Sequence, residues 1–183
     1  MSSVVISGDS SGTVSLTVPS VAGTNTATLP AASGTVMVSG NMPAFSAYGN
    51  TNQSVTSNTW TKVQLNAKTF DTASAFDNVT NYRFQPTVAG YYLISGNSGN
   101  YSTSTALTTS QTAIYKNGSA VYVTAINIPA TTTGQVHVSG LVYLNGSTDY
   151  IELYGYITAV AGALFASNSG TTMYMTGVLV RAA

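Results

Sequence analysis

The feature that most constrains this chain is a set of period-two runs that are apolar on both parities. Val136, Val138, Val142 and Leu144 share one parity, while Leu141 and Tyr143 hold the other. Ile151, Leu153 and Ile157 alternate with Tyr150, Tyr154 and Tyr156, and Met173, Met175 and Leu179 with Tyr174, Val178 and Val180. A two-residue period is the signature of strands, whose successive side chains point to opposite faces. A sheet with one wet face alternates apolar with polar residues. Two oily faces need two coverings. One is a core, and the other is most simply a second copy of the chain.

Turn chemistry supports an all-β reading. Asn117-Gly118 lies between Ile114-Tyr115-Lys116 and Val121-Tyr122-Val123, and Asn-Gly supplies the positive backbone angles of a hairpin turn. Asn145-Gly146, followed by Ser147-Thr148-Asp149, joins the next two long runs. Short strands at this spacing imply a sandwich or barrel. The one helix-like patch, residues 159–166, carries Gly162 and sits among strands, so it reads as strand or loop.

Charge narrows the function classes. Asp, Glu, Lys and Arg make up 5% of 183 residues and the net charge is +0, against roughly 25% charged residues in a typical domain. No basic footprint for nucleic acid or an anionic membrane exists. A chain with 44% hydrophobic residues and so few charges is a poor free monomer, which favours a surface covered by partners over one kept soluble by Ser, Thr and Asn. There is no cysteine, hence no disulfide or thiolate site. Met1 leads into Ser2-Ser3-Val4-Val5-Ile6 without a basic start, and no apolar run reaches the roughly 18 residues of a membrane helix. The expectation is a protein without membrane insertion, made in a host cytoplasm. An outer-membrane barrel would need a polar lumen-facing register, which the tyrosine-rich parity does not supply.

Composition shifts near Gly40. Residues 1–40 lack aromatic residues and hold Val4-Val5-Ile6, residues 14–18 and residues 35–38 as β-prone pieces. Without large side chains this segment builds no core of its own. It reads as a β-rich N-terminal docking arm or short stalk, followed by a sandwich domain over residues 41–183.

From Ala44 onward the ordered signals resemble the trimeric jelly roll of the complement first-component globular head, a relative of tumour necrosis factor. They are Ala44-Phe45-Ser46-Ala47, Trp60-Thr61-Lys62-Val63, Phe70-Asp71, Tyr82-Arg83-Phe84-Gln85-Pro86 running into Ala89-Gly90-Tyr91-Tyr92, Ile114 to Gly118, Val142 to Ile151, and Met175 to Val180. The resemblance implies a jelly-roll β-sandwich and a homotrimer, with Phe45, Tyr92, His137, Tyr143 and Tyr174 as candidates for the trimer interface. Gly12 to Leu16 and Thr28 to Val36 resemble low-charge segments of tailed-bacteriophage fibre and virion proteins. Together the two imply a virion protein, expected to be a capsid decoration (cement) protein held through residues 1–40 to the major capsid protein or another virion protein. Forty extended residues reach about 140 Å at most, which suits attachment better than a long shaft. The alternative is a tail fibre or spike tip that binds a host surface glycan or protein. The family's collagen-like stalk is absent, so innate-immune function does not carry over.

Catalytic constellations fare poorly. Gly8-Asp9-Ser10-Ser11-Gly12 fits a nucleophile elbow, but that turn needs a following helix and a nearby His and carboxylate. The single histidine, His137, stands alone between Val136 and Val138, so a packed sheet residue is preferred to a metal ligand or pH switch. Asp71 and Asp77 flank a loop that reads as turn-capping, with a calcium site as the alternative. No cofactor and no enzymatic activity are expected. Aromatic and amide groups at an exposed end could recognise a glycan, and Asn97, Asn100 and Tyr101 are the candidates.

Overall fold

The computed structural model describes residues 3–28, 31, 34, 36–104 and 107–183. The chain divides into two compact units, Met1–Gly34 and Thr35–Ala183. In the first, β1 (Ser3–Ser7) and β2 (Thr13–Thr17) form an antiparallel hairpin that pairs Val4 with Leu16 and Ile6 with Val14. Its turn is the Gly8–Gly12 stretch, where the Gly8 N–H donates to the Gly12 carbonyl at 3.0 Å. Ser10 therefore lies in a hairpin turn with no helix after it. Val4, Val5, Ile6, Val14 and Leu16 are all more than half exposed, as a segment without aromatic side chains dictates. Much of the motif from Thr28 to Val36 (Leu29, Pro30, Ala32, Ser33 and Thr35) lies outside the described residues.

The β-prone reading of residues 35–38 does not hold for Val36–Val38, which form no strand. Asn41, ending a short 3-10 turn at Ser39–Asn41, accepts the Val38 N–H at 2.7 Å and donates to the Val36 carbonyl at 3.1 Å. A local side chain here satisfies groups that a ladder would otherwise take.

Among its described residues the second unit holds fourteen strands: β3 (Ala44–Tyr48), β4 (Gln53–Ser54), β5 (Thr61–Lys62), β6 (Ala67–Asp71), β7 (Phe76–Asp77), β8 (Arg83–Phe84), β9 (Gly90–Ser98), β10 (Asn100–Ser102), β11 (Leu107–Lys116), β12 (Ser119–Thr131), β13 (His137–Leu144), β14 (Ile151–Ala159), β15 (Ala163–Phe165) and β16 (Met173–Ala182). A five-stranded antiparallel sheet runs β13-β9-β16-β3-β6. A six-stranded sheet runs β12-β11-β14-β8-β7, with β5 also on β14, and a small sheet runs β10-β15-β4. The Asn117-Gly118 hairpin is as expected: φ is 52° and 81° at the two turn residues, and β11 and β12 flank them. Asn145-Gly146 does something different. It carries the chain from the five-stranded to the six-stranded sheet, with Asn145 Oδ1 accepting the N–H groups of Ser147, Thr148 and Asp149.

The core lies between the two large sheets. Ile94, Val138, Val142, Leu144, Met175 and Leu179 meet Ile114, Ile151, Leu153 and Ile157, all buried. Phe45 stacks on Phe84 at 4.3 Å and on Phe76 at 5.2 Å, and Tyr92 meets Phe84 edge-on at 5.5 Å. The Tyr92 hydroxyl donates to the Val88 carbonyl at 2.7 Å, and burial pushes the phenol up to about 12. This corrects two interface candidates: Phe45 and Tyr92 have the inward parity of their strands and are filled around by their own protomer.

Candidate functional site

Two surface features of the second unit stand out: an uncovered sheet face and a neutral pocket at one pole. The sheet face comes from strand geometry. Residues of opposite parity to the core project outward from the five-stranded sheet, and the register sets them in rows. Leu141 pairs with Leu93, Leu93 with Val178, and Val178 with Ala44, which makes an apolar row across four strands. Leu141, Leu93 and Val178 are 48%, 46% and 39% exposed. Beside this row Tyr143 pairs with Tyr91, their rings 5.4 Å apart, and both are exposed. Phe70, Leu93 and Val178 rim an apolar hollow of about 330 Å³.

On the far side of the row lie His137 and Tyr174, their rings 6.4 Å apart. His137 Nε2 is 2.7 Å from Ser95 Oγ. His137 is exposed and Tyr174 half-buried. Three of the sequence candidates, His137, Tyr143 and Tyr174, therefore share the outward face. The residues that sequence reasoning missed there are Tyr91, Leu93, Leu141, Val178 and Phe70. Leu141 and Val178 were visible as the second apolar parity.

The edge strand β12 adds a second apolar surface. It pairs only with β11, and Val121, Tyr122, Val123 and Ile126 on it are exposed. Tyr122 leans on β13: its hydroxyl donates to the Leu141 carbonyl at 2.9 Å, and its ring occupies the space that a Cβ at Gly140 would need. A long apolar edge left open is a template for unwanted strand pairing.

The six-stranded sheet covers its own outward aromatics. Trp60, in the segment before β5, sits 5.4 Å from Tyr156 and 6.1 Å from Tyr115, while Tyr115 stacks on Tyr154 at 4.0 Å. All four are half-buried. Arg83 lies over the Tyr150 ring at 4.4 Å.

Charged groups are committed to structure. Lys62–Glu152, Lys68–Asp71 and Lys116–Asp149 form ion pairs at 2.6, 3.1 and 2.8 Å, so every lysine of the chain is paired. Asp77 accepts the N–H groups of Thr80, Val79 and Asn81, which hold its carboxyl well below the usual range. Burial pushes the Asp71 carboxyl up, but hydrogen bonds from Phe76, Ala75 and Lys68 outweigh it, leaving it below its ordinary value. Both aspartates thus serve as turn caps. Among the described residues no group of three or more His, Asp and Glu converges as metal ligands.

The pocket gathers residues that are distant in sequence. Asn52 precedes β4, Tyr101 sits in β10, Thr133 and Gln135 lie between β12 and β13, Asn168 is in a 3-10 turn, and Thr172 precedes β16. They line a cavity of about 400 Å³. Gly99, at φ 71°, packs where a Cβ would strike the Ala166 carbonyl and thereby lets the chain turn from β9 into β10. Of the three loop candidates, only Tyr101 faces this pocket. Asn97 and Asn100 are corrected to buried strand residues. Asn100 donates to Ser110 Oγ at 2.7 Å and to the carbonyls of Gln111 and Tyr156, and accepts from Ser98; Asn97 Oδ1 accepts the Gly99 N–H at 2.9 Å. The polarity of Asn100 serves a satisfied interior seam.

No family model matches the chain, and no curated protein matches it in sequence. Solved structures do. The globular domain of zebrafish complement 1qA protein superposes with a TM-score of 0.54 at 15% identity, over 77% of this chain and 99% of that one. Murine APRIL at pH 5.0 superposes with a TM-score of 0.56 at 12% identity, over 76% and 99%. The fold is the C1q/TNF-like jelly roll. At these identities the likeness concerns architecture, and the jelly-roll fold is what this chain shares with them.

Proposed function

We propose that this chain is a structural, non-catalytic virion protein of a bacteriophage: a homotrimer decorating the capsid surface, attached through residues 1–40. The observation that carries the assembly is the apolar row Leu141-Leu93-Val178-Ala44, open on a sheet whose other face is a complete core. The trimeric families resembled by the sequence, together with the jelly-roll fold, favour three copies. Geometry supports the same arrangement. The sheet face and the β12 edge are different surfaces, so a contact between them is head-to-tail, and such contacts close into rings when the rotation permits. One such ring covers the row and the open edge together.

The capsid location rests on the low charge, the short arm and the likeness of residues 1–40 to phage virion segments. A cement protein of this kind reinforces a shell by bridging neighbouring subunits through apolar and backbone contacts. Light scattering of the recombinant chain is expected to give three times 18.8 kDa, and densitometry of purified particles should give hundreds of copies. A lone protomer mass overturns the assembly, and a handful of copies at the tail overturns the location.

A further inference from the structure

The neutral pocket has no part in a shell-reinforcing role, yet its chemistry is selective. Its polar atoms fall into two sets. Asn52 gives its Oδ1 to the Ser167 N–H at 3.0 Å, which leaves its amide nitrogen for the cavity. Gln135 uses its nitrogen on the Asn100 carbonyl at 3.4 Å, and Asn168 uses its own on Thr171 at 3.1 Å, which leaves two amide oxygens. The hydroxyls of Tyr101 and Thr133 have no partner among the described residues. Donors and acceptors therefore both line one cavity, the three amides held by bonds already made elsewhere. No charged side chain lines it.

This pattern defines the ligand class. A phosphate or carboxylate wants donors only, with a cation beside them. A purely apolar ligand would strand the amides. Neutral sugar hydroxyls each donate and accept, and a half-buried tyrosine offers a ring face for the C–H side of a pyranose. About 400 Å³ falls within the roughly 300–1,000 Å³ of small-molecule sites.

Position adds an independent argument. The Leu179 N–H donates to the Pro43 carbonyl where the chain enters β3, whereas Met173, at the other end of β16, bonds Gly49 and adjoins the pocket residue Thr172. Six residue steps along the strand separate them, about 20 Å. The pocket is thus at the pole away from the chain's entry into the domain.

We infer that this pocket binds a neutral carbohydrate, with Tyr101 as the platform and Asn52, Gln135 and Asn168 reading the hydroxyls. The site is complete within one protomer, so its failure and that of the trimer are separable. The test uses the full chain and ligand-observed NMR with lactose, maltose and N,N′-diacetylchitobiose at about 10 mM, where affinities near 1 mM are readily seen. Sialyllactose and inorganic phosphate are the charged probes. At least one neutral disaccharide is expected to bind, with affinity falling about tenfold or more in Tyr101→Ala and in Asn52→Ala, while light scattering and thermal midpoint show each variant assembled and folded. Tyr101→Phe should retain most of the binding. Silence of all three neutral sugars overturns the inference, as does binding of the charged probes alone, or neutral-sugar binding that survives both pocket variants.

Discussion

The two large sheets of the jelly roll have the same kind of sequence and opposite fates. On the six-stranded sheet Trp60, from the chain's own loop, packs on the outward Tyr115 and Tyr156, and Tyr154 stacks on Tyr115. On the five-stranded sheet Tyr91, Leu93, Leu141, Tyr143 and Val178 have no roof. The central aromatics of one face are covered within the protomer, and those of the other are left open. Apolar alternation on both parities therefore signals that two coverings exist, and says nothing about which molecule provides each. Tertiary contact decides it, and here Trp60 covers part of one face.

Two substitutions separate the faces, in falling order of effect. Leu93→Asp sets a charge in the middle of the open row. An unpaired charge in an apolar contact costs several kcal/mol, so the association constant should drop about a thousandfold, with the protomer still folded by circular dichroism. Sedimentation across a concentration series reads this, and an unchanged mass would mean that the row is not the contact. Trp60→Ala should do the reverse. Losing the half-buried indole should destabilise the protomer by about 2–4 kcal/mol in urea unfolding, and leave the mass of the assembly alone.

The smallest effect concerns acid. The Lys116 and Asn117 side chains hold the Asp149 carboxyl below its ordinary value, as backbone N–H groups do for Asp77. A carboxyl lowered in the folded state stabilises it above the unfolded pKa, near 3.9, and that contribution is lost as pH falls through the folded value. Urea midpoints should hold steady on this account from pH 7 to 5 and decline below about pH 4. Asp149→Asn should make the decline shallower while lowering stability at pH 7. Both groups sit in turns at strand ends, so neither sheet face is altered directly.

Local chemistry was the readable part of the sequence. Asn117-Gly118 specified its hairpin because few residue pairs accept two positive φ angles, and period two separated the two faces of β13, β14 and β16. Parity alone could not say which side of β3 or β9 was the core, because a one-residue shift exchanges the faces. Phe45 and Tyr92 were misplaced for that reason. Asn97 and Asn100 looked like loop residues because polar runs usually are. The burial of Asn100 depends on Ser110, Gln111 and Tyr156, which only the fold brings near. The pocket was invisible beyond Tyr101, since its other residues come from separate segments and carry no shared spacing.

The pairing of all three lysines has a kinetic corollary. With those charges spent inside the protomer, little long-range field remains to guide one copy toward another, and association without steering proceeds at roughly 10⁵–10⁶ M⁻¹s⁻¹. Ionic strength should barely alter that rate. Such a protein gathers by abundance rather than by attraction at a distance.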